Sequence, residues 1–217
     1  MLRRVMALPI NRLVAAAGAL LITLAIGVAI SEWVGIRRLP VSSSAAGAHS
    51  YCRRFRADTL VSASAQPRRG YFANPTYGYA VTIPDGLVGY PPVGAAARGI
   101  VVALPGQPRA LLRADAAYDA LYDITAAGVH TRDSVDVRLF DRLISDEAQP
   151  FSLAGVPGGR YRMKILCRGE SSPYVFEAII VVRRREIYRL DLQTRPDRLR
   201  QDEASLEAMA GSWRWTP

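Results

Sequence analysis

The residues best suited to chemistry lie between Asp115 and Asp136. His130 has Thr131, Asp133, Ser134 and Asp136 as neighbours, the residue types that build a nucleophile, its base and an orienting carboxylate. No G-x-S-x-G elbow accompanies them, and the other histidine, His49, sits in a stretch of small residues. A structural or solvated histidine is therefore the first expectation, and a hydrolase using His130 with nearby Asp and Ser the second. Asp115, Asp119 and Asp123 recur every four residues. On a helix they would align three carboxylates for a hard cation, whereas a strand would scatter them. The glycines from Gly155 to Arg160 lead into an apparent strand without a placed lysine, so a tight hairpin explains them better than a phosphate cradle. No catalytic residue, metal ligand or cofactor site is assigned from these patterns.

Cys52 and Cys167 stand at opposite ends of the region beyond Pro40. Neither belongs to a C-x-x-C, so redox catalysis and zinc lack their usual spacing. An oxidising compartment would pair them, and a disulfide is expected.

That compartment is implied by Leu13 to Ile30, eighteen residues without a charge. As a helix the run would span about 27 Å, close to the hydrocarbon thickness of a bilayer. Arg3, Arg4 and Arg12 precede it and Trp33 follows at an interfacial position, which directs the N-terminus inward and the remainder outward. Residues 1–38 read as a signal-anchor segment, 39–50 as a flexible tether and 51–217 as an exported domain with its core in 71–217. The expected location is the inner membrane, single-pass, with the bulk periplasmic. Cleavage after Ala29-Ile30-Ser31 would instead release a soluble periplasmic or secreted protein. Cys52 comes too late for a lipoprotein.

Half of the 217 residues are hydrophobic and 22% are charged, a globular composition. Of the net charge of +9, the residues flanking the hydrophobic run supply +4 through Arg3, Arg4, Arg12, Arg37 and Arg38 against Glu32. Lysine occurs only at Lys164, an arginine bias that base composition can produce alone. An exported domain meets anionic headgroups before nucleic acid, so no nucleic-acid partner is expected.

The elements that must carry these residues read mostly as strands. Asn74 to Gly78 forms a turn, followed by a strand with Tyr79, Val81 and Ile83 on one face. Gly99 to Leu104 and Ala110 to Tyr118 follow as strands, with a helix the alternative for the second. Ser134 to Ile144 suits a helix through Val135, Leu139 and Leu143 almost as well as a strand. Ala154 to Gly159 reads as a turn, and Arg160 to Cys167 alternates with Tyr161, Met163, Ile165 and Cys167 inward. Tyr174 to Val182 and Ile187 to Leu192 are strands joined at Arg183, Arg184 and Arg185, a hairpin tip and a possible basic contact surface. Asp197 is positioned to cap a final helix over Arg198 to Gly211, with Leu199, Leu206, Met209 and Trp213 at helical spacing. Tyr71, Phe72, Tyr77, Tyr79 and Tyr90 suit a core first and a ligand groove second. The fold class is α+β, an antiparallel sheet covered by helices.

Two segments carry a resemblance. Tyr77-Gly78-Tyr79-Ala80-Val81-Thr82-Ile83-Pro84-Asp85-Gly86 is similar to the opening strand and Pro-x-Gly turn of the Mog1/PsbP-like fold family, with Leu87 where an aromatic is usual. The run from Leu153 through the Val182 to Ile187 hairpin to Ser212-Trp213-Arg214-Trp215 resembles its closing half. The resemblance implies a non-enzymatic adaptor, assembly factor or envelope protein, without catalytic residues to carry over. The expected function is a noncatalytic, membrane-tethered periplasmic interaction domain of the envelope assembly, stability or immunity type. Its partners would be the inner membrane and an unidentified envelope protein or anionic envelope component. A lipid- or small-ligand-binding module is a further alternative and predicts an apolar cavity beneath the sheet.

Overall fold

The computed structural model describes residues 51–52, 65–92, 98–105, 110–118 and 124–217, all within the compact unit Gly47–Pro217. The hydrophobic run from Leu13 to Ile30, Trp33, the tether 39–50, and Asp119 and Asp123 lie outside the described residues. Among those described, no helix is long and apolar enough to cross a membrane.

Asn74 ends strand β1 (Tyr71–Asn74) and organises the turn. Its Oδ1 accepts from the backbone N–H groups of Thr76 at 3.1 Å and Tyr77 at 3.2 Å, an Asx turn. Gly78 then takes a φ of +59°, a conformation costly for a residue with a Cβ, and β2 (Tyr79–Thr82) returns antiparallel. β3 (Gly89–Tyr90), β4 (Ile100–Ala103) and β5 (Leu111–Tyr118) follow, then helix α1 (Ala126–Phe140). β6 (Arg142–Leu153), β7 (Val156–Leu166), β8 (Tyr174–Arg183) and β9 (Glu186–Thr194) form a meander, and helix α2 (Leu199–Ser212) leads to β10 (Arg214–Trp215). The large sheet has the order β3-β4-β5-β9-β8-β7-β6, the small one β1-β2-β10. Every pairing is antiparallel, so the described residues are α+β.

Period-two alternation divides the large sheet into two faces. One carries Val102, Leu112, Ala114, Ile179, Val181, Leu190 and Leu192 and packs under Tyr79, Val81 and Ile83 with Leu206, Met209 and Trp213. Tyr79 stacks on Trp213 with ring centroids 4.6 Å apart, and Phe72 and Tyr77 pack against the same core, whereas Tyr71, expected there too, is 64% exposed. The opposite face carries Met163, Ile165 and Phe176 beneath Tyr51, Cys52, Cys167 and Val137. Beside these, Tyr161, Ala178, Ile180 and Ile187 meet Val129.

Three expectations need correction. The segment from Ser134 to Ile144 is neither one helix nor one strand: α1 stops at Phe140 and β6 begins at Arg142. Within α1 the supposed inward stripe faces out, with Val135 and Leu139 exposed, while Val129, His130, Asp133, Ser134 and Val137 are buried. The turn predicted over Ala154 to Gly159 contains only Ala154 and Gly155, because Leu153 pairs with Val156. Gly158 and Gly159 lie inside β7, where a Cβ on Gly158 would sit 2.1 Å from the Ile180 carbonyl oxygen. Close strand approach, not a turn, requires that glycine. Finally, Arg198 rather than Asp197 occupies the N-cap of α2, without a side-chain cap bond.

Candidate functional site

α1 starts where the Thr125 Oγ1 accepts from the Gly128 N–H at 3.0 Å, an N-cap of ordinary type. The helix buries a polar face because the sheet beneath it is polar. In β9, Tyr188, Leu190 and Leu192 go to the α2 side, which leaves Arg189 and Asp191 for the α1 side.

These two residues centre a charge network. Arg113 donates to Asp191 Oδ2 through Nη2 at 2.7 Å and Nε at 3.0 Å. Arg189 reaches Asp191 Oδ1 at 3.0 Å and, through Nη1, Asp133 Oδ2 at 2.7 Å. The Tyr51 hydroxyl donates to the same Asp133 oxygen at 3.4 Å. Burial pushes the Asp191 carboxyl up, but Arg189 and Arg113 outweigh it and hold the group below the usual carboxylate range. Burial also lowers Arg189, and Asp191 with Asp133 reverse this, keeping its guanidinium charged. Asp115 differs: burial raises its carboxyl, with Arg113 compensating only in part. Burial likewise raises the Tyr51 phenol, which stays protonated.

A cavity of about 420 Å³ opens beside this network, with Tyr51, Arg113, Asp115, Arg132, Asp133 and Arg189 among its lining residues. Ala116, Ala117, Val129 and Ile187 also line it, so charged groups of both signs stand beside an apolar wall.

His130 and Ser134 do converge with a carboxylate, that of Asp146 in β6. His130 Nε2 lies 2.8 Å from Asp146 Oδ1, and the Ser134 hydroxyl donates to Asp146 Oδ2 at 2.8 Å. Ser134 Oγ is 3.3 Å from the same His130 Nε2. A nucleophile relay needs the carboxylate on one ring nitrogen and the hydroxyl on the other. Here both partners crowd one nitrogen, and the Ser134 hydroxyl also lies against Asp146, so the arrangement is not that relay. His130 also stacks on Tyr161 at 4.2 Å. The triangle fastens α1 to β6 and β7. Asp133 belongs to the charge network instead, and Asp136 lines the cavity.

The other sequence-marked residues are distributed as follows. Cys52 and Cys167 form a disulfide with Cα atoms 5.9 Å apart. Asp115 lies on a strand, and among the described residues no group of three His, Cys, Asp or Glu side chains could hold a metal ion. The arginine triplet is divided: Arg183 lies over the Trp215 ring at 4.7 Å, while Arg184 and Arg185 occupy the exposed β8–β9 tip. Leu13, Ile30 and Trp33 fall outside the described residues. Sequence reasoning missed the Arg113–Asp191–Arg189 network and a second one on the other face. There Glu177, fully buried, pairs with Arg160 and with Arg162 at 2.7 Å, and both arginines reach Glu203 at 2.7 Å. Glu177 was detectable as the single charge within the apolar run of β8.

No family model matches the chain, and no curated protein matches it. Among solved structures it is similar to cyanobacterial PsbP (CyanoP) from Synechocystis sp. PCC 6803, with 19% identity and a TM-score of 0.46 over 70% of this chain and 93% of that one. It is also similar to LpqN of Mycobacterium tuberculosis, described as involved in cell envelope biogenesis, with 13% identity and a TM-score of 0.47 over 77% of this chain and 98% of that one. Both likenesses concern architecture, and no function is taken from them.

Proposed function

We propose that the protein is a noncatalytic interaction domain held at the outer face of the inner membrane by the segment from Leu13 to Ile30. The observation that carries this reading is the Cys52–Cys167 disulfide, because such bonds persist in oxidising compartments and seldom in the cytosol. The uncharged run with arginines before it supplies the route out. The placing of Ser134 and Asp146 on one His130 nitrogen, unlike a nucleophile relay, supports the noncatalytic reading. The domain's partner is then an envelope protein or an anionic envelope component, met at the membrane surface.

The test is thiol labelling of the full chain in intact cells, followed by alkaline washing of the membranes. The expected result is no labelled cysteine before reduction, two after it, and retention of the chain in the washed membrane. Thiols that label without reduction would sink the export reading. Release by alkali would replace the anchor with a cleaved leader.

A further inference from the structure

The outer face of α1 differs from the rest of the described surface. Of six large apolar side chains exposed there, four fall within ten residues: Val135 at 50%, Leu139 at 67%, Phe140 at 37% and Ile144 at 48%. Val135 and Leu139 are one helical turn apart. Arg132 and Arg138 are exposed on the same side, and Arg142 lies just beyond the helix end. Of the acidic residues from 126 to 147, Asp133 is buried, Asp136 and Asp141 are half-buried, and Asp146 and Glu147 are exposed, Asp146 being engaged by His130 and Ser134. Asp133 is held by Arg189, and Asp141 accepts from the Arg168 backbone N–H at 2.9 Å. Among the described residues neither Arg138 nor Arg142 makes an ion pair. Exposed apolar groups interleaved with arginines such as Arg138 and Arg142 are the composition of a surface that meets anionic headgroups.

Position supports the same partner. Val137 and Leu143, which bracket this patch, pack in one cluster with Tyr51, Cys52 and Cys167. The chain from the N-terminus therefore joins the domain at this end of the molecule. On the anchored reading, this end is the one that follows the Leu13 to Ile30 segment in the chain. The arginines at the β8–β9 tip are a poorer candidate, because the length of β8, about 30 Å at ~3.3 Å per residue, separates them from the entry point.

We infer that the outer face of α1, continued by Arg142 and Ile144, rests on an anionic phospholipid surface. Val135, Leu139 and Ile144 enter the headgroup layer while Arg138 and Arg142 pair with phosphates. The inference builds on the anchored reading above, since a retained Leu13 to Ile30 segment holds the face within reach of lipid.

The experiment reconstitutes the full chain into vesicles of phosphatidylcholine alone or of equal parts phosphatidylcholine and phosphatidylglycerol. An environment-sensitive fluorophore is placed on Leu139→Cys and, separately, on Arg184→Cys as a far-end reference. The Leu139→Cys label should shift to the blue and lose access to acrylamide in the anionic vesicles only, while the Arg184→Cys label stays accessible in both. Arg138→Gln and Arg142→Gln should each lower the ratio of protected to accessible label by about fivefold. Equal accessibility of the Leu139→Cys label in the two vesicle types would overturn the inference. So would equal protection in both, which would mean that protein covers the face. Alkaline washing separates the two readings. A chain released by alkali whose label was protected beforehand keeps the lipid-facing surface and loses the anchor; a chain retained with an accessible label does the reverse.

Discussion

Asp191 remains ionised in a buried place because two guanidinium groups converge on it. Its depressed carboxyl contributes stability that is fully present above the unfolded value, near pH 4, and is lost as pH falls through the lower folded value. The urea midpoint should therefore drop below about pH 4. Asp191→Asn should start from a lower midpoint at neutral pH and fall less steeply; equal acid slopes in the two proteins would contradict this. Asp115 has the opposite sign, because its raised carboxyl gains stability as pH falls, so Asp115→Asn should raise the neutral-pH melting temperature. On the other face, Glu177→Ala leaves Arg160 and Arg162 with only the partly exposed Glu203 and Glu207. A loss of about 3 kcal/mol is expected from denaturant unfolding. These pairings were hidden in the sequence for a physical reason. Arg162 stands opposite Glu177 only through the β7–β8 register, which no local pattern specifies. Alternation did place Arg160 and Arg162 on one face of their strand.

At the scale of elements, the two-residue β6–β7 turn sets Ala154 at φ +46° and Gly155 at φ +81°. Both positive values define the hairpin turn that favours Asn-Gly, and alanine tolerates the first position poorly. Ala154→Asn should stabilise the protein by about 0.5–1 kcal/mol, measured as a rise in the urea midpoint at unchanged slope. Trp215 Nε1 donates to the Ala154 backbone carbonyl at 3.0 Å, a contact the substitution keeps. β2, β4, β5, β7, β8 and β9 were legible from alternation or from a short apolar run, whereas β6 was not, because it is exposed along nearly all of its length. α1 was not, because its buried side carries His130, Asp133 and Ser134 while Val135 and Leu139 point outward. A rule that sends apolar residues inward then selects the wrong face. The helix had to bury polar groups because Arg189 and Asp191 lie beneath it, and that fact belongs to a strand fifty residues further on.

For the whole molecule, the sheet order joins elements far apart in sequence: β5 pairs with its chain neighbour β4 on one edge and with β9 on the other. The antiparallel class and the closing helix with its tryptophans were readable from motifs, whereas that central pairing required the folded chain. The disulfide ties the same architecture across a sequence separation of 115, and its reduction should cost on the order of 4 kcal/mol on a chain-entropy estimate. Its second consequence is mechanical. Tension applied to the chain before Cys52 passes through sulfur into Cys167, so residues 53–166, which include β1 to β7, carry no load. Pulled by its two ends, the oxidised protein should release only its C-terminal portion. Reduction under load should then free a further length of about 400 Å, at ~3.5 Å per residue. The loaded portion includes β8 and β9, the centre of the large sheet, so extracting it parts β3-β4-β5 from β7-β6, while the disulfide keeps the two ends of residues 53–166 together.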